Sequence, residues 1–259
     1  MVDTCRISVD AATTVGELDH SWRFIGYDEC NYTYMPEGKE LLAKFGGLDD
    51  APYYVRTHFM FCNGSCAGTQ KFGSTNIYRE LSDGSVIYDF TYYDLILDSI
   101  LESGNKPFVE LGFMPQHLAD PKYHEQPSLA GMDVYKEVGW TYPPEDYGKW
   151  HDFILTTARH LAERYGADEI ATWYFELWNE PDICYWSGTV DEYCTLYDNT
   201  EHALHEALPG ARLSGPACTG IFLHNGANAF MKQFLRHCRE GRNARTGQTG
   251  TRLDFITFH

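Results

Sequence analysis

A chain of 259 residues with 43% hydrophobic and 15% aromatic content is large enough to bury one sizeable core. Its 37 Asp and Glu against 20 Lys and Arg give a formal charge of −17, which repels phosphate backbones and anionic bilayers, so neither nucleic acid nor a membrane surface is an expected partner. No run approaches about 18 consecutive apolar residues, and the polar, acidic start lacks the basic and apolar stretches of a secretory signal, so a cytoplasmic location is expected.

Taken in chain order, the first strand signal is WRFIGYD (22–28), followed by a short helical run, PEGKELLAKFGG (36–47). YYVRTHFMF (53–61) is the second strand. After it come FCNGSCAG, with the one close cysteine pair Cys62 and Cys66, and IYRELSDGSVIYDF, where Asp83-Gly84 between alternating apolar positions predicts an inserted hairpin. The cysteine spacing lacks the further ligands of a zinc site, and eight cysteines scattered through a chain without an export signal predict reduced thiols.

A helix through YYDLILDSILESG, with Leu95, Ile96, Ser99 and Ile100 as its stripe, leads to strand three, KPFVELGFM (106–114). The clearest helix is EDYGKWHDFILTTARHLAERYG: Trp150, Phe153, Ile154, Ala158, Leu161, Ala162 and Tyr165 recur at helical steps, Pro143 and Pro144 mark the start and Gly166 the stop. Strand four is ATWYFELWN (171–179), and the helix after it carries Tyr193, Leu196, Tyr197, Leu204, Ala207 and Leu208 before Pro209 and Gly210. Strand five, ARLSGPA (211–217), precedes a helical run, NAFMKQFLRHCRE, and LDFITFH (253–259) is strand six. Helices filling every gap between strands imply a parallel sheet.

The fold class expected is α/β, a (β/α)₈ TIM barrel with about six of its eight strands in this chain. Residues 1–259 then form the N-terminal portion of a single catalytic barrel, with function at the strands' C-terminal ends. The informative segment is FELWNEPD (175–182), an apolar strand delivering Asn179, Glu180 and Pro181 at its end. Glycoside hydrolysis needs one carboxylic acid to protonate the leaving oxygen and a second carboxylate across the bond. Glu180 has the type and place for the first role; Asn179 can hydrogen-bond a sugar hydroxyl, and Trp178, Phe113 and Tyr174 are candidate walls. His58 and His259 both stand at strand ends, where a hydrogen-bonded core histidine is the competing reading. Arg56, on the same strand face as His58, and Glu110 are each either buried charge partners or ligands, and a structural role is favoured for Glu110. Glu176 is no partner for Glu180: at about 3.3 Å per residue their backbones lie about 13 Å apart, against roughly 5.5 Å for a retaining pair and 9.5 Å at most for an inverting one.

The chain resembles the family 39 glycoside hydrolases, which include β-xylosidases and α-L-iduronidases. Residues 88–115 (YDFTYYDLILDSILESGNKPFVELGFMP) resemble the xylosidase branch, residues 174–182 (YFELWNEPD) match the acid/base motif of both, and 234–241 with 246–259 look more like the iduronidase branch. The resemblance runs from about Trp22 to the last residue. It implies that Glu180 is the general acid/base of a retaining double displacement, that Asn179 contacts the sugar next to the reacting carbon, and that His58 and His259 lie in the sugar pocket. It also places the nucleophilic Glu at the end of a seventh strand, hence expected beyond residue 259, so the 259 residues alone are expected to be inactive.

A small saccharide or glycoside is the expected substrate, a β-xyloside before an α-L-iduronide or other pyranoside, with no cofactor and no metal. Homo-oligomerisation of a full-length form stays open. Two readings compete with the retaining glycosidase: a non-catalytic carbohydrate-binding remnant, and a barrel of unrelated chemistry.

Overall fold

The apolar runs become six parallel strands of one sheet in the computed structural model, which describes residues 5–17, 20–48, 51–63, 74–124, 139–220 and 226–259. They are β1 (Phe24–Tyr27), β2 (Tyr54–Thr57), β5 (Lys106–Leu111), β6 (Tyr174–Leu177), β7 (Leu213–Cys218) and β8 (Phe255–Phe258). Each is shorter than its sequence signal. The order β1-β2-β5-β6-β7-β8 pairs each strand with the next along the chain, as in a barrel wound in one direction. The expected hairpin is β3 (Tyr78–Glu80) with β4 (Val86–Tyr88), antiparallel around Gly84 at φ +82°, a left-handed position that glycine occupies without strain.

The curled sheet is a partial (β/α)₈ barrel, open between β1 and β8. Central strands β5 and β7 are almost wholly buried, whereas β1 and β8 pair on one side only among the described residues. Phe24, Ile256 and Phe258 on these edges are 49%, 48% and 46% exposed. Inside the curl the strands' N-terminal ends meet in an aromatic floor. Tyr174 packs on Tyr54 at 4.7 Å, Phe255 at 5.0 Å, and Phe24 and Phe108 at 5.7 Å between ring centroids, and Arg212 lies 3.7 Å over its ring. Tyr174 is therefore floor and not site wall, correcting the sequence expectation: as the first residue of its strand it stands at the end opposite Glu180.

The helices occupy the expected gaps. Asp146, rather than the preceding prolines, starts the Tyr147–Tyr165 helix by accepting hydrogen bonds from the backbone N–H groups of Gly148 and Lys149. The Val190–Ala207 helix opens with a capping box, Thr189 and Glu192 bonding each other's backbone N–H. On the Thr91–Glu102 helix the buried stripe is Tyr93, Ile96, Leu97 and Ile100, spaced i, i+3, i+4, i+7; Leu95, expected inside, falls on the solvent side. The described cysteines are free thiols, and Cys66 lies outside the described residues. No helix among the described residues is long and apolar enough to cross a membrane.

Candidate active site

Arg56, in the middle of β2, points into the curl above the aromatic floor. Its Nε donates to Glu176 Oε2 at 2.6 Å, its Nη1 to His58 Nε2 at 2.6 Å and its Nη2 to Asn179 Oδ1 at 3.0 Å. Glu176 and Glu110 face each other across the β5–β6 register, and Arg56 Nη2 also lies 3.3 Å from Glu110 Oε2. Burial works against the charge of Arg56, but the two carboxylates outweigh it and raise its pKa. Arg56 is thus a buried charge partner that spans strands, and both residues left open in the sequence take structural positions.

Glu110 is completely buried. Burial pushes its carboxyl up to about 8 in spite of Arg56, with the negative Glu176 adding to the rise. Neither of its oxygens receives a hydrogen bond of good geometry, although Oε2 is also 3.2 Å from His58 Nδ1. Because Arg56 can only donate, His58 Nε2 accepts and Nδ1 carries the proton towards Glu110.

The rim above this ionic layer is made where strands end. Past β6 the chain turns through Trp178 at φ +71° and Glu180 at φ +49°; Phe59 after β2 (φ +61°) and Ala217 near the end of β7 (φ +52°) adopt the same left-handed backbone. Four non-glycine residues in this sparsely populated region, gathered on one rim, mark a place where the surrounding structure enforces unfavourable backbone. Glu180 N–H donates to Ala217 C=O at 3.0 Å, which anchors the turn to β7. Glu180 thus stands three residues beyond its strand.

The side chain of Glu180 meets His259 from β8: Oε1 is 2.7 Å from His259 Nδ1. Asn179, almost fully buried, gives its carbonyl to Arg56, so its NH₂ is the end left to donate to a ligand hydroxyl. Phe113 lies beneath, against Trp178 at 5.2 Å and Phe59 at 5.5 Å. Trp178 is buried under the rim, its indole N–H donated to Tyr185 C=O, and supports the site without lining it.

Glu180, Asn179, His58, His259 and Phe113 line one cavity of about 240 Å³, together with Asp28, Phe59 and Tyr185. The five residues selected from the sequence are therefore brought together. Asp28, the final residue of the first strand signal, was missed; the strand-end rule that selected Glu180 points to it equally. Its Oδ1 lies 3.7 Å from His58 Nε2. Tyr185 had no sequence signal, since it arrives from a loop. Two larger cavities, each of about 560 Å³, adjoin the open edges and are mostly apolar; the carboxylate of Glu176 in one of them is already paired with Arg56. The 240 Å³ cavity is the one that gathers Glu180, Asp28, Asn179 and two histidines.

The family model for glycosyl hydrolases family 39 matches residues 5–259. A β-xylosidase from Geobacillus stearothermophilus is 37% identical over 188 residues, 71% of this chain and 33% of the relative. The α-L-iduronidase of Homo sapiens is 30% identical over 266 residues, 98% of this chain and 35% of the relative. Among solved structures, a monomeric β-xylosidase from Caulobacter crescentus CB15 superposes with a TM-score of 0.67 at 28% identity, covering 91% of this chain and 41% of that one. The chain spans about a third of the length of the curated relatives it matches.

Proposed function

We propose that this chain, which belongs to glycosyl hydrolase family 39, forms the acid-bearing part of a retaining glycoside hydrolase. The observation that carries the reading is Glu180 on the wall of a cavity at the strands' C-terminal rim, held by a 2.7 Å contact to His259 from a different strand. A carboxyl there protonates the leaving glycosidic oxygen, then takes the proton from the water that releases the sugar. Asn179, oriented by Arg56, donates to a hydroxyl of the bound ring, and Phe113 underlies it.

The second carboxylate completes the double displacement. It attacks the anomeric carbon as the aglycone oxygen takes the proton of Glu180; water then cleaves the glycosyl ester and the carboxylate leaves. Among the described residues, Asp28 is the other acid lining the cavity. The family resemblance assigns the attack instead to a Glu beyond residue 259, and we favour that assignment.

A neutral pyranoside of the β-xyloside type fits best, because among the described residues the cavity is lined by Asp28 and Glu180 and by no Lys or Arg. A uronic acid would bring a carboxylate to two others without a permanent cation among the described lining residues to receive it. The iduronide reading has one point in its favour, a likeness to α-L-iduronidases over 98% of the chain.

The test is to trap the full-length protein with an aryl 2-deoxy-2-fluoro-β-xyloside and map the labelled peptide. Covalent labelling of one carboxylate beyond residue 259 is the expected result. A label on Asp28 would place the nucleophile within this chain, and first release of the inverted anomer from an ordinary xyloside would remove the retaining mechanism.

A further inference from the structure

The outer helical layer carries a second cluster of reactive side chains, separate from the residues that line the Glu180 cavity. His151 stands near the start of the Tyr147–Tyr165 helix. His202 and Glu206 lie on the Val190–Ala207 helix packed beside it, four residues apart and therefore on one face. His151 Nε2 is 3.0 Å from His202 Nδ1, and Glu206 Oε2 is 4.0 Å from that same nitrogen. One ligand atom from each of the three lies within 4.8 Å of the others.

The groups around the cluster prepare these atoms. His151 is buried, and its Nδ1 is 3.1 Å from Asp152 Oδ1. A carboxylate there holds the ring proton on Nδ1 and leaves the Nε2 lone pair facing His202, the arrangement by which acidic neighbours orient metal-binding imidazoles. Arg159 Nη2 binds Glu206 Oε1 at 3.0 Å, so Oε2 is the oxygen turned to His202. Two ligands at about 2.05 Å from a tetrahedral ion stand about 3.4 Å apart, between the two separations observed. Glu206 and His202 are partly exposed, which leaves an entry path and an open coordination position.

We propose that His151, His202 and Glu206 form a binding site for a divalent transition metal, with Zn²⁺ as the ion suited to two imidazoles and one carboxylate. Bound there, the ion joins two neighbouring outer helices and stabilises the barrel wall without taking part in glycoside chemistry.

The experiment is calorimetric titration of chelator-stripped full-length protein with Zn²⁺, with thermal unfolding as a second readout. One ion per chain at a Kd of about 1 µM or tighter, with an upward shift of the unfolding midpoint, is expected. His202→Ala and Glu206→Gln, at positions outside the core, each weaken binding by at least about tenfold, and Asp152→Asn does so by about tenfold through His151. Because the chain also carries free thiols, the His202→Ala/Glu206→Gln double variant separates this site from capture by cysteine. Unchanged zinc binding in that variant, or no binding tighter than about 100 µM in the unaltered protein, overturns the proposal.

Discussion

At the N-terminal ends of the strands five aromatic rings, Phe24, Tyr54, Phe108, Tyr174 and Phe255, close the floor of the curl. A few residues further along the same strands stand Asp28, His58, Asn179, Glu180 and His259. Floor and rim share strands and differ in what holds them. The floor is a set of ring contacts, each interchangeable with similar apolar packing. The rim depends on directional bonds and on left-handed backbone at Phe59, Trp178, Glu180 and Ala217. Between them, Arg56 with Glu176 and Glu110 joins the two regions. Stability should thus follow the floor and activity the rim, with the ionic layer controlling both.

The largest expected effect sharpens that division. In the full-length protein, Glu180→Ala lowers kcat on glycosides with poor leaving groups by about 10² to 10⁴. Activated aryl glycosides lose far less, since their aglycones depart without a proton, and added azide partly restores them. Unfolding in denaturant should barely change. Equal loss on both substrate types, with no rescue, would take Glu180 out of the acid/base role.

Arg56→Met tests the layer between. Removing the cation leaves the buried Glu176 carboxylate without its counter-ion beside Glu110, a loss of about 3 to 5 kcal/mol by urea unfolding. Activity falls with it, since Asn179 loses the group that orients its amide. A variant of normal stability would show that the layer does not couple floor to rim.

Tyr174→Ala acts on the floor alone. Losing its ring contacts and the stacked Arg212 should cost about 2 to 3 kcal/mol, with kcat/KM at low temperature within about twofold of the unaltered protein, because the residue is remote from the cavity. A large kinetic defect in a stable variant would erase the distinction between floor and rim.

The smallest effect is a slope. The carboxyl of Glu110 is raised from 4.5 to about 8, so between those values the folded protein holds a proton that the unfolded chain releases. Its contribution to stability is complete below about pH 4.5 and is lost as pH rises through about 8. Glu110→Gln removes that proton uptake. Urea midpoints at pH 5 and pH 8 should lie closer together in the variant than in the unaltered protein; an unchanged difference would mean that Glu110 is ionised throughout.

Much of this was legible in the residue order. Six apolar runs with helical patterns between them predict a parallel, singly wound sheet, because strand burial and helix amphipathicity are local periodicities written in neighbouring residues. Glu180, Asn179 and Phe113 could be selected because barrel chemistry gathers where strands end, and strand ends can be counted; His58 and His259 also stand at strand ends, but it was the family resemblance that put them in the sugar pocket. The same counting reached Asp28, which went unselected; Tyr174 was placed only by the structure, where the strand begins at that residue rather than at Ala171.

What only the tertiary structure decided were relations between strands distant in sequence. That Arg56 answers Glu176, 120 residues away, rather than a ligand follows from how three strands align side by side. The contact between His259 and Glu180, 79 residues apart, follows from how the chain curls β8 round to the rim. Local periodicity specifies which face of a strand is buried. It carries no record of which residue on another strand lies opposite, so the protonation of Glu110 and the orientation of Asn179 exist only once the sheet has curled around them.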